Sequence, residues 1–283
     1  MSSDSQYPAA PAAAPPIQPT LVNNLTVMGR VIYALMIRES RTRYGKTDLG
    51  YLWAIIDPTM QLLVFWSLFV ALGRVVPVPA SMPVFLITGL LPYRFWQTCV
   101  SRGASAAPSN LPLLTYPQVK VIDVVLARVL LDIATFVIVS LIFVVGLRFL
   151  GNTPFTSWVR VPIVLATGVL GLVYLSVCSA IFSSSLARIW PIWPEIWSYI
   201  SRPLYFTSGV FFTLQELPSG FRSIGQYIPA ANMLEWIRTG AIPGFISTSY
   251  SAWYVIDFAT VLLVIGMTID WILRLIGHAD EAH

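Results

Sequence analysis

VVLARVLLDIATFVIVSLIFVVGL, residues 124–147, decides the fold class of this chain. About 20 apolar residues carry an α-helix across the hydrocarbon core of a bilayer, and this stretch is long enough to do so. Similar runs lie on both sides of it, at 52–72, 84–101, 161–182, 193–212 and 253–273. The pattern predicts an all-α integral membrane protein with six transmembrane helices. Of 283 residues, 56% are hydrophobic and only 11% charged, and the mean hydropathy is +0.73. A soluble domain carries roughly a quarter charged residues. Too few polar groups remain to cover a water-facing surface, and six spans with short connections leave no room for a large soluble domain.

The ends of the chain read differently. Residues 1–20 are rich in Pro and Ala, with no basic start and no apolar core. They predict a disordered tail, not a signal peptide. In residues 21–44, Leu21, Leu25, Met28, Ile32, Leu35 and Met36 recur on one helical face. Asn23, Arg30, Arg38 and Arg41 gather on the other. A basic amphipathic helix of this kind lies along a membrane surface, and we bound it at 21–46, followed by the membrane domain at 47–276 and a short tail at 277–283.

Net charge is +4 and the pI about 9.2. In a membrane protein this is the excess of Lys and Arg in cytoplasmic loops. No basic patch interleaved with aromatics points to nucleic acid. With the amino terminus inside, Arg30, Arg38, Arg41, Arg43, Lys46, Arg102, Lys120, Arg128, Arg188 and Arg274 are cytoplasmic. Arg74, Arg148, Arg160, Arg222 and Arg238 fall outside. The asymmetry places both termini in the cytoplasm.

Two connections are not ordinary loops. Residues 104–123 contain SNLPLLTYPQVK, too apolar for a solvated linker and too short for a span. They read either as an interfacial loop or as a short helix projecting to a cytoplasmic partner. Residues 214–250 mix apolar residues with Pro218, Gly220, Gly225, Pro229, Pro243 and Gly244. Irregular backbone at membrane depth survives only where protein or a water-filled cavity satisfies it. A re-entrant helical hairpin or a folded extracytoplasmic cap meets that condition.

Catalytic constellations are not found. The sequence has no G-x-x-x-x-G-K-[ST] phosphate loop, no H-E-x-x-H and no G-x-S-x-G, so it has no P-loop site for ATP and no metallohydrolase or serine-hydrolase signature. Cys99 and Cys178 lie in apolar runs, and His278 and His283 lie in the tail. We expect neither a metal site nor a cofactor. What remains is charge inside the membrane. Arg94 follows Pro92 in LLPYRFW, and Arg202 precedes Pro203 in ISRPLYF. An arginine at mid-depth costs a few kcal/mol and turns to a cavity or a carboxylate. Two in a cavity would suit an anionic cargo, because guanidinium binds phosphate or carboxylate bidentately. Tyr93, Trp96, Tyr199, Tyr205 and Phe206 flank them, as sugar-stacking candidates or as core and belt. Asp132 and Asp257 sit deep enough to pair with arginines.

These stretches carry a resemblance. RTRYGKTDLGYLWAIIDP at 41–58, GLLPYRFW, NLPLLTYPQVKVIDVVLAR, RPLYFTSGVFFTLQELP and IPAANMLEWIR occur in order. Together they resemble ABC-2 type permeases of bacterial polysaccharide exporters, the capsule branch more than the O-antigen or teichoic-acid branches. The resemblance implies a homodimer working with two cytoplasmic ATPase subunits, which bind ATP and Mg. It implies a lipid-linked anionic polysaccharide as cargo, with a periplasmic co-polymerase and an outer-membrane channel further along the route. It makes 21–44 an interface helix and 214–240 a re-entrant exit cap. It also implies a coupling helix at 110–120, with Asn110, Leu111, Leu113, Leu114, Tyr116, Pro117, Gln118 and Lys120, assisted by Arg41 and Arg43, meeting the ATPase. The residues alone leave open an ATP-independent secondary transporter, and less readily a membrane enzyme acting on lipid-linked sugar.

Overall fold

The computed structural model describes residues 21–44, 50–114, 119–151 and 159–280, and every regular element among them is helical. In order these are α1 (Leu21–Tyr44), α2 (Gly50–Ala71) and α3 (Met82–Ala104). A 3-10 turn (Pro108–Asn110) leads into α4 (Leu111–Leu114), α5 (Val121–Gly151), α6 (Pro162–Ile189) and α7 (Trp193–Thr207). A second 3-10 turn (Leu214–Glu216) precedes α8 (Ser219–Gly225), α9 (Pro229–Ala241) and α10 (Ala252–Asp280). The expected tail at 1–20, Lys46, Tyr116, Pro117, Gln118 and the last residues, 281–283, lie outside the described residues.

Four helices are long and apolar enough to cross a membrane: α2, α5, α6 and α10. The other two expected spans miss for different reasons. At 23 residues α3 is long enough, about 34 Å, but it carries Pro92, Arg94, Gln97 and Arg102. It tolerates them because it lies inside the bundle, packed on α2, α5, α6, α7 and α9. The 15 residues of α7 reach only about 22 Å. Its apolar run was expected to stay helical to Phe212, yet the helix stops at Thr207. Gly209 takes a positive φ of 78° there, and the chain continues as buried irregular backbone through Thr213. Residues 277–280, expected as tail, continue α10.

Burial against protein rather than lipid brings little hydrophobic gain inside a bilayer, so close approach and polar ties discriminate. The bundle is built around α6, which packs on α3, α9 and α10. The buried face of α6 is rich in small residues, including Ser176, Ser179, Ala180, Ser183 and Ser184. Gly103 of α3 lies directly on that face, and a Cβ there would stand 2.8 Å from the Cα of Ala180. Indole N–H groups bond the serines: Trp96 to Ser179 at 3.2 Å and Trp193 to Ser183 at 2.7 Å. Prolines 58, 92 and 203 sit inside α2, α3 and α7 without ending them. On α1, Met28, Ile32, Leu35 and Met36 are half-buried while Arg30, Arg38 and Arg41 are exposed. At these positions that is the amphipathic division read from the sequence, the side chains of Leu21, Asn23 and Leu25 lying outside the described residues, and α1 lays this face on α5.

Candidate functional site

Alternation of the helices puts α1, the end of α3, α4 and the start of α5 at one end of the bundle, with the starts of α2 and α7. Here the polar side chains bind one another. Asp132, buried on α5, accepts from Arg43 of α1 at 2.9 Å and pairs with Arg102 of α3 at 3.2 Å. Arg128 of α5 pairs with Glu39 of α1 at 3.4 Å and donates to the carbonyl of Arg102 and the hydroxyl of Ser105, both at 3.1 Å. Arg38 donates to Asn110 Oδ1 at 2.9 Å, and Asn110 in turn bonds the Ala106 carbonyl at 3.0 Å. The chain leading into α4 is therefore tied to α1 and, through Arg128, to α3 and α5. Across the bundle, Arg188 of α6 and Arg274 share Asp270 of α10, each at 2.6 Å.

This wiring sorts the residues expected to meet an ATPase. Leu111 (62% exposed), Arg41 and Lys120 face outward. Asn110 and Arg43 are turned inward, holding α1 and α5 in place. Leu113 and Leu114 belong to the four-residue α4, while the side chains beyond Pro112 as far as Gln118 lie outside the described residues.

The residues expected to line a cargo cavity also divide. Arg94 pairs with Asp57 of α2 and donates to Gln61 Oε1 at 2.6 Å. Gln61 passes a hydrogen bond on to the Tyr205 hydroxyl at 2.8 Å. Tyr93, Trp96 and Tyr205 are buried between α3 and α7, their ring centroids 5.2 to 5.7 Å apart. Tyr93 donates to the Ser201 carbonyl at 2.9 Å, so this cluster fastens α7 to α3. Tyr199, Arg202 and Phe206 instead occupy the exposed face of α7, with the Arg202 guanidinium 6.0 Å from the Tyr199 ring centroid. Among the described contacts, none joins Arg94 to Arg202.

At the opposite end, arginines bind backbone. Arg238 of α9 is fully buried, and its guanidinium donates to the carbonyls of Gly209, Val210 and Phe212 at 2.6, 2.8 and 3.0 Å. The same group lies 4.2 Å over the Phe85 ring. Burial lowers its pKa to about 10, opposed by Glu235 and Glu216, so it keeps its charge at neutral pH. One turn away Glu235, also buried, accepts from the Leu214 amide at 2.9 Å. The two side chains thus hold the irregular segment after α7 by both its acceptors and its donors. Gly89 of α3 leaves the room this needs: a Cβ there would lie 2.5 Å from Arg238 Nη2 and 2.7 Å from the Val210 oxygen. Arg74 donates to Phe211, Arg160 to Phe245, and Arg222 to Leu214, Gln215 and Leu217, in every case to a carbonyl.

A described core of α1–α9, wired at one end by ion pairs and capped at the other, coincides with a family match: residues 30–242 match the ABC-2 type transporter membrane family. The chain belongs to the ABC-2 type transporter family. It is 32% identical over 246 residues to the polysialic acid transport protein KpsM of Escherichia coli, covering 84% of this chain and 91% of the relative. It is 28% identical to the capsule polysaccharide export inner-membrane protein CtrC of Neisseria meningitidis, with 88% and 93% covered. It is 27% identical to the capsule polysaccharide export inner-membrane protein BexB of Haemophilus influenzae, with 88% and 93% covered.

In this ABC-2 transporter chain, sequence reading overlooked the Arg102–Asp132–Arg43 junction as a unit and the Glu235–Arg238 clamp. The second had a signal: two opposite charges three residues apart in MLEWIR, within a segment otherwise apolar enough to be buried. The first had only the depth of Asp132 in its span, with no indication of which arginines would meet it.

Proposed function

We propose that this chain is the membrane-spanning permease subunit of an ATP-driven exporter that moves lipid-linked capsular polysaccharide across the bacterial inner membrane. One observation carries the reading: similarity over more than four-fifths of the chain to inner-membrane proteins of capsule export and polysialic acid transport. Six crossings follow if α3 is counted as a shielded polar span and α7 is completed by the irregular segment after it. The Lys and Arg asymmetry supports both termini in the cytoplasm. On that orientation α8 and α9 form the extracytoplasmic re-entrant cap, and α1 lies along the cytoplasmic surface.

The chain carries no nucleotide motif, so turnover belongs to a pair of ATPase subunits that bind ATP and Mg. They dock at α4, where Leu111 is the exposed apolar contact. Closure of the pair on ATP displaces the 105–114 segment. Asn110 passes that displacement to α1 through Arg38, and Arg128 passes it to α3 and α5. Rigid helices packed face to face respond by switching between arrangements rather than by bending. A second copy of the chain meets the exposed face of α7, placing Tyr199, Arg202 and Phe206 beside the passage. An anionic polymer is drawn there by guanidinium groups, and a periplasmic co-polymerase and an outer-membrane channel receive it. The reading is tested by reconstituting chain and ATPase in liposomes loaded with lipid-linked polymer. ATP-dependent movement of polymer to the opposite face supports it, and movement indifferent to ATP returns the chain to secondary transport.

A further inference from the structure

An acidic side chain inside a membrane span turns to the bundle interior or finds a cation, because lipid offers it neither water nor counter-charge. Asp257 does neither. It lies on α10, within the stretch long and apolar enough to cross a membrane, and its side chain is exposed. Its depth in the sequence suits pairing with an arginine, yet among the described residues it makes no hydrogen bond or ion pair. The helix start does not compensate it either. The positive end of a helix dipole acts over the first turn, and the first turn of α10 holds no acidic residue.

Beside Asp257 a groove of about 620 Å³ opens between α6, α9 and α10, within the size range of small-molecule sites. Leu170 of α6 and Trp253 and Ile256 of α10 line it, over Trp236 of α9 and Gly171 of α6. Gly171 admits the Trp236 ring, since a Cβ there would stand 2.6 Å from its Cζ3. Further along, the Tyr174 and Thr260 hydroxyls are hydrogen-bonded at 3.0 Å and tie α6 to α10. Leu170 and Trp253 are 67% and 75% exposed, so the groove opens outward. In a bilayer it meets acyl chains, which are as apolar as its own lining. Trp253 is of the residue type that sits at head-group level, and Asp257 lies about 6 Å beyond it along the axis. Helical side chains lean toward the helix N-terminus, so the Asp257 carboxylate leans back toward that surface.

A carboxylate beside an outward apolar groove is complementary to a lipid that joins acyl chains to a primary ammonium. A partner helix with a basic residue would carry the same charge, but the shape favours the lipid. Close helix approach uses small residues, and the room at Gly171 is taken by Trp236. A helix 10–12 Å across would rest on Leu170 and Trp253 rather than enter between them.

We infer that this groove binds an aminophospholipid of the phosphatidylethanolamine class, with an acyl chain over Trp236 and the ammonium on the Asp257 carboxylate. Taking its leaflet as the extracytoplasmic one rests on the orientation proposed above. Binding itself does not.

The full-length chain is placed in phosphatidylcholine nanodiscs without ATP, polymer or ATPase. A trace of phosphatidylethanolamine or phosphatidylcholine carries a diazirine on one acyl chain. The two lipids share phosphate and net charge, but the quaternary ammonium of phosphatidylcholine has no N–H to donate. After photolysis, adducts at 167–174 and 252–256 are mapped by mass spectrometry against those on the outward face of α5, at Val137 and Ile138. The expected groove preference for phosphatidylethanolamine is about three-fold, the scale of one exposed charge pair. Asp257→Asn abolishes it and Asp257→Glu keeps it, and both replace an exposed side chain, which leaves the fold intact. Thr167→Trp, at an exposed position of the lining, lowers groove adducts of both lipids while labelling of α5 is unchanged. Equal labelling of the native groove by the two lipids overturns the inference and returns Asp257 to a basic residue of a partner helix. A preference that survives Asp257→Asn also overturns it, as do groove adducts undiminished in Thr167→Trp.

Discussion

The arginines at the two ends of this bundle do different work. At the end carrying α1 they meet carboxylates, on neighbouring helices for Arg43 and Arg102 with Asp132, Arg128 with Glu39 and Arg188 with Asp270, and within α10 for Arg274 with Asp270. At the other end Arg74, Arg160, Arg222 and Arg238 donate to backbone carbonyls. The difference follows from the backbone. Helices satisfy their own peptide groups, so charged side chains between them are left to pair with each other. The segments at 208–217 and 242–250 are largely irregular, and away from water their carbonyls need donors. A guanidinium offers five N–H groups in a rigid fork, which suits a run of carbonyls. Ion pairs can exchange partners as helices shift, whereas a guanidinium donating to three carbonyls fixes the chain it holds. One end is held by ion pairs between side chains and the other by side-chain bonds to backbone.

The comparison breaks first at Arg238. Arg238→Ala strands three buried carbonyls and leaves Glu235 as an uncompensated buried charge, which together cost about 3–5 kcal/mol. Thermal unfolding in detergent should show it as the largest loss of any single arginine, with Arg238→Lys in between. Asp132→Ala comes next, at about 2 kcal/mol, since Arg102 reaches solvent and softens the loss of its partner. Its further consequence is a loosened α1, read as increased proteolysis between α1 and α2. A ranking with Asp132→Ala above Arg238→Ala would invert the contrast between the two ends. Arg222→Ala, half-exposed over three carbonyls of a short turn, should cost about 1 kcal/mol in the same unfolding assay. Leu111→Asp is expected to change stability by less than about 0.5 kcal/mol, because it replaces an exposed side chain.

Much of this architecture is legible in the amino-acid order. The apolar runs mark α2, α5, α6 and α10 because a helix facing lipid must be apolar on nearly every side. The alternation of Met28, Ile32, Leu35 and Met36 with Arg30, Arg38 and Arg41 marks the buried face of α1. The end of α7 was not legible. SGVFF continues an apolar pattern, and the helix is ended by the backbone of Gly209 together with an arginine 29 residues further on. Nor were the pairings of the arginines. Arg94 and Arg202 look equivalent in sequence, each beside a proline in an aromatic run. Packing gives one a carboxylate 37 residues away and leaves the other on an open face. Arg43 and Asn110 carry the polarity of a docking surface, yet long-range contacts with Asp132 and Arg38 turn them inward. Such choices depend on which helices become neighbours, and no local pattern records that.

The most direct measurement is ATP turnover by this chain co-expressed and co-purified with an ATPase subunit, in native form and as Leu111→Asp. The expected result is a complex whose turnover exceeds that of the isolated ATPase, with association or stimulation lost in Leu111→Asp while the variant unfolds at the native temperature. A native chain that recruits no ATPase, or a Leu111→Asp complex with undiminished turnover, would contradict a cytoplasmic end that receives the force of ATP hydrolysis through α4.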